Sequence, residues 1–145
     1  MITDTIVVTG QVKLVLTDAQ GNVKQTEKAN MVVTAGKAFM ANALANSSIT
    51  PFGWMALGTN STAANVSDVA LGTEIVRTAA GTSVVSTATT FTDTYGAGVG
   101  TGALTEAGLF NLSSLGGTML AHVVFPVVNK GTLDSLALTW TITVN

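Results

Sequence analysis

The chain has 145 residues, 47% of them hydrophobic and only 10% charged, with a net charge of -2 and no cysteine. That length fits one domain that buries a core without cross-links or metals, and the missing cysteines exclude disulfides, Cys-based zinc sites and thiol nucleophiles. The scattered basic residues make no stripe for phosphates, Met1–Thr5 carries no leader pattern, and no window nears the roughly 18 apolar residues of a membrane span, so neither nucleic acid nor membrane is an expected partner and synthesis is expected in the cytosol.

A surface short of charge is poorly protected against association, which points to a subunit whose neighbours cover much of it. In chain order, Ile6, Val8, Val12, Leu14 and Leu16 recur with the period of two of a half-buried strand, with Gly10 as a candidate bulge. Asp18–Asn22 reads as a turn into Val23–Lys28, a strand polar enough for a sheet edge, where Lys24 and Lys28 discourage stray pairing. Residues 1–28 are expected to serve as an N-terminal hairpin or arm in contacts between subunits. Lys13, Lys24 and Lys28 on that hairpin are expected interface residues.

The Ala-rich run Thr34–Ala45 predicts one short helix, capped by Thr34 and burying Phe39, Met40, Ala43 and Leu44. Asn46-Ser47-Ser48 ends it. Gly53–Leu57 predicts a strand covered on both faces, and Gly58–Val69 a loop. Thr73–Thr78 and Ser83–Thr92 predict a hairpin around Ala79-Ala80-Gly81. Asp93–Gly102, with four alternate glycines, predicts a flexible exposed tip, where Asp93 and Tyr95 are further interface candidates. Ala103–Asn111, Thr118–Val124 and Thr132–Val144 complete the pattern. In the last of these, Leu136, Leu138, Trp140, Ile142 and Val144 alternate with Ala137 and three threonines. About eight strands and one helix predict a mainly β fold, an antiparallel β-sandwich of jelly-roll-like type.

Candidate chemistry is sparse. His122 has no second histidine or cysteine for a metal, and no serine sits in a Gly-x-Ser-x-Gly elbow. Asp68, Glu74, Asp93 and Glu106 are the carboxylates from which a glycosidase pair would be drawn, but aromatic residues are few for a sugar cleft, and solvated or capping roles are expected. Gly96–Gly102 lacks the Gly-Lys-Ser/Thr of a phosphate loop. Glu74 and Arg77, three apart in a strand, fall on opposite faces and are expected to pair elsewhere, and Trp54 and Trp140 are expected core anchors. Ala56-Leu57-Gly58-Thr59 recurs as Ala70-Leu71-Gly72-Thr73, which reads as two similar turns flanking one loop. No catalytic residue, cofactor or metal is expected.

Those two segments, the second continuing as Glu74-Ile75-Val76-Arg77, together with Leu104–Asn111, Thr118–Phe125 and the terminal strand Leu136–Val144, resemble a family of small tailed-bacteriophage virion proteins. The resemblance spans residues 30 to 145. It implies a sandwich or jelly-roll subunit without cofactor that works by binding other subunits. The short chain fits a capsid decoration (cement) protein, a trimer that bridges subunits of the major capsid protein on the outside of the shell. Similar segments in head- and tail-fibre proteins imply the alternative of an adhesin for a host receptor or glycan.

Overall fold

A computed structural model describes residues 3–114 and 116–145, so Met1 and Ile2 of the expected arm lie outside the described residues. The described residues form two antiparallel five-stranded sheets and one short helix. In chain order these are β1 (Val8–Thr17), β2 (Val23–Ala29), β3 (Met31–Val32), α1 (Thr34–Ala43), β4 (Trp54–Gly58), β5 (Glu74–Ala79), β6 (Gly81–Val85), β7 (Ala88–Tyr95), β8 (Gly102–Phe110), β9 (Met119–Lys130) and β10 (Ser135–Val144). The first sheet runs β2-β1-β10-β7-β6 and the second β3-β9-β8-β4-β5. Side chains from both sheets meet in one apolar core.

β10 is the centre of the first sheet, with β1 and β7 on either side, so Trp140 lies opposite both Val12 and Phe91. Its alternation buries Leu136, Leu138, Trp140 and Ile142 while the threonines face out. The Trp140 indole N–H donates to Asn30 Oδ1 at 2.8 Å. Gly10 makes room for that bond: a Cβ there would stand 1.9 Å from Asn30 Oδ1. No bulge accompanies this glycine, since the β1–β10 register runs unbroken. β2 is an edge, as its charges predict, but β1 is an interior strand that sends Val12 and Leu14 into the core of the chain itself.

The second sheet is buried on both faces over β4, as expected. Its inner face gives Met55, Leu57, Ala107, Leu109 and Val123 to the main core, and its outer face holds a second cluster of Val33, Ala56, Leu71, Phe110 and Met119. Two bulges in β9 decide which side chains go where. Leu109 pairs with Ala121 but Phe110 with Met119, so Leu120 is an extra residue that packs into the main core while Met119 turns outward. Pro126, which has no N–H for a ladder, sits in the second irregularity, between Val124 and Val128.

Several boundaries differ from expectation. Ser83–Thr92 is not one strand: it folds back at Ser86-Thr87, where Ser86 has φ 55, giving the β6–β7 hairpin. Ala80 is no hairpin turn either, because it carries the chain from the second sheet to the first. Val33, not Thr34, occupies the helix N-cap, and it makes no side-chain cap bond; the Thr34 N–H donates to Val66 O at 2.8 Å. Helix α1 ends at Ala43, which leaves Leu44 outside it and 90% exposed rather than buried.

Candidate functional site

The densest group of ionisable side chains lies on the outer face of the second sheet, beneath the loop that joins β4 to β5. Glu106 of β8 is buried there and accepts three backbone N–H bonds, from Asn60 at 3.2 Å, Gly72 at 3.0 Å and Thr73 at 2.8 Å. Its Oε2 also stands 2.9 Å from His122 Nε2, and His122 Nδ1 stands 2.7 Å from Asp68 Oδ2. Burying a carboxylate is costly unless such donors surround it, and the loop's three N–H groups offset that cost for Glu106.

The repeated Ala-Leu-Gly-Thr segments supply this site. Gly58 lies opposite Glu106 in the β4–β8 ladder, Gly72 and Thr73 donate to its carboxylate, and the Thr59 N–H donates to Thr73 O at 3.0 Å. Both glycines are demanded by space: a Cβ on Gly58 would lie 2.5 Å from Glu106 Oε1, and one on Gly72 would lie 2.4 Å from Asn60 Cγ. The repeat is therefore two turns closing on one buried acid.

Within the loop, Asp68 also accepts the Asn65 N–H at 2.7 Å. Burial would raise the Asp68 carboxyl, but the Asn65 N–H and His122 outweigh it and hold the group below its ordinary value. Both nitrogens of His122 point at carboxylate oxygens. Each His122 ring nitrogen is thus engaged by a carboxylate, one from the loop and one from β8. These bonds clamp the β4–β5 loop to β8 and β9.

The other carboxylates, Glu74 and Asp93, have partners of their own. Glu74 holds Arg77 in a two-pronged ion pair at 2.7 and 2.8 Å, contrary to the opposite faces expected. The cause is a bulge: Gly58 pairs with Glu74 and Leu57 with Val76, so Ile75 is an extra residue that brings positions 74 and 77 to the same face. Arg77 also lies 3.7 Å above the Phe110 ring and donates to the carbonyls of Leu112 and Ser114. Asp93 accepts a hydrogen bond from Thr78 Oγ1, joining β7 to β5.

The five residues expected at an interface are dispersed. Lys13 is on the outer face of the first sheet, in a groove with Thr9, Glu27, Thr139 and Thr141. Lys28 lines a different hollow, with Asn30, Ala63 and His122, and Lys24 is exposed on the same strand. Asp93 is half-buried, and Tyr95 is core: its hydroxyl donates to Met55 O at 2.9 Å, and burial pushes that hydroxyl well above its ordinary pKa. Tyr95 thus has no part in the surface of the single chain. Of the tryptophans, Trp140 is fully buried and Trp54 partly so, against the outer cluster.

Lys130 was not singled out by the sequence and is buried, donating to Gly96 O at 2.8 Å. Desolvation lowers its pKa, and Asp134 offsets this in part.

One end of the molecule is apolar. Ile6, 74% exposed, and Leu44 flank a hollow that continues through Met40 and Val144 into a cleft of about 330 Å³ beside α1. Phe39, Phe52, Phe91 and Ile142 line that cleft, and Val84, 68% exposed, stands at its margin. Comparison with protein-family models, curated proteins and solved structures finds no match to the chain.

Proposed function

We propose that this chain is a non-enzymatic structural protein of a bacteriophage virion, a decoration protein that binds the outer capsid surface, bridges major capsid protein subunits and associates with copies of itself. The two sheets form a sandwich in this reading, supported by their shared core; a jelly-roll likeness is supported only by β1 and β10 lying side by side. The segments that resemble phage virion proteins support the assignment to a virion. The observation that carries a binding role is the apolar end around Ile6, Leu44 and Val84, on a surface where charge is scarce. Contact with a shell subunit removes the apolar area around Ile6 and Leu44 from water.

Purified shells lacking the protein provide the test. Added protein should occupy repeating sites and raise the shell's melting temperature, and Leu44→Arg should weaken that binding without lowering the protein's own melting point. Failure of the parent chain to bind shells overturns the proposal.

The Thr-rich groove across β2, β1 and β10, with Gln11, Lys13 and Glu27, favours a second reading as a fibre component that binds a glycan. Immunogold label at the tail instead of the head selects it.

A further inference from the structure

Four strands end the two sheets, and three of them carry features that oppose pairing with another chain. β2 bears Lys24, Glu27 and Lys28; aligned antiparallel with its own copy about Thr26, it would set Lys24 against Lys28. β3 is two residues long, and β5 is bulged at Ile75. β6 has none of these features. It is five residues of regular strand, exposed throughout and, among the described residues, paired only with β7, and no charge occurs from Gly81 to Thr92.

We propose that β6 pairs antiparallel with β6 of a second copy, joining the two first sheets across a two-fold axis at Ser83. Two identical strands running in opposite directions are complementary by symmetry. Ser83 then faces its own copy, Thr82 faces Val84, and Gly81 faces Val85, with neutral contacts throughout and β-branched side chains together on one face. Thr82 and Val84 line the apolar cleft, so the same pairing lays the second copy's Val84 and Thr82 along the cleft margin and shields it from water. The free N–H and C=O groups of each edge gain partners at the same time. This deepens the self-association named above but stands on the strand edge alone, and it gives an assembly of two where the sequence led to an expectation of three.

The test is sedimentation of the full chain over a range of concentrations, with Ser83→Lys and Ser83→Glu alone and mixed. Ser83 is exposed, so either variant should keep the parent's circular dichroism. The parent should sediment as a dimer. Each variant alone should dissociate at concentrations about tenfold higher than the parent or more, because like charges meet on the axis, and the equal mixture should recover the dimer. A parent that stays monomeric, a trimer, or a dimer indifferent to both variants overturns the pairing. Shell binding is read separately, so a monomer that still raises the shell's melting temperature refutes the β6 pair and leaves the decoration reading standing.

Discussion

His122 and Glu106 meet diagonally across neighbouring strands. The residue directly opposite His122 is Gly108, and Glu106, two positions along β8, reaches the ring at 2.9 Å, while the space above Gly108 is taken by Phe110 and Leu71. Glu106 is thus the acceptor for groups contributed by β9 and by both ends of the β4–β5 loop. Glu106→Ala should strand three N–H groups of part-buried bonds and one side of the buried His122 ring, destabilising the chain by about 2–4 kcal/mol. Urea unfolding measures the loss, and limited proteolysis should cut first within residues 59–73. Resistance of that loop to cleavage would refute the clamp.

The same site separates one glycine from another. Gly58→Ala and Gly72→Ala should each cost about 1–3 kcal/mol, since a methyl on Gly58 meets Glu106 Oε1 and Thr73 O, and one on Gly72 meets the Asn60 side chain, whose Oδ1 accepts the Thr62 N–H. Gly53→Ala, where nothing lies within 4 Å, should stay within about 0.5 kcal/mol of the parent. Equal stability of all three variants would show that the close approaches at Gly58 and Gly72 relax freely.

Trp140→Ala should cost about 3–5 kcal/mol by opening a cavity at the middle of β10. Trp140→Phe keeps most of the volume and loses the bond to Asn30 Oδ1, and should cost about 1–2 kcal/mol. Melting temperatures in that order check the assignment; a Trp140→Ala variant that melts with the parent contradicts it.

Acid should loosen the loop through Asp68. Its folded carboxyl titrates below the ordinary value of 3.8, so the unfolded chain takes up this proton first. The stabilisation is fully present above 3.8 and is lost as the pH falls from there through the folded value. Asp68→Asn should remove this part of the acid dependence, seen as a flatter stability curve below about pH 5 than the parent's. An unchanged slope would mean that other carboxylates carry it.

The parts of this fold legible in the sequence are those with unbroken local periods. β10 announces itself because one buried face leaves a period of two, and β2 declares an edge through its lysines. Bulges are silent in such patterns. The extra residues Ile75 and Leu120 reverse the faces of their neighbours along the strand, which is why the Glu74–Arg77 pair and the inward Leu120 escape a simple alternation. The role of Glu106 was hidden for a different reason: its donors lie 33, 34 and 46 residues away, and only the repeated Ala-Leu-Gly-Thr hinted that two distant turns shared a purpose. The break at Ser86-Thr87 carries no glycine or proline to mark it.

The central place of β10 has a kinetic consequence. β1 and β7 have no contact of their own in the sheet order and are joined only by the strand between them, so Val8 waits for Val144 and Phe91 for Trp140 before the first sheet is continuous. Such distant pairings slow folding toward the order of milliseconds to seconds. The inner edges of the β1–β2 and β6–β7 hairpins are covered only by β10, so a chain in which β10 has not yet docked leaves both open to other strands.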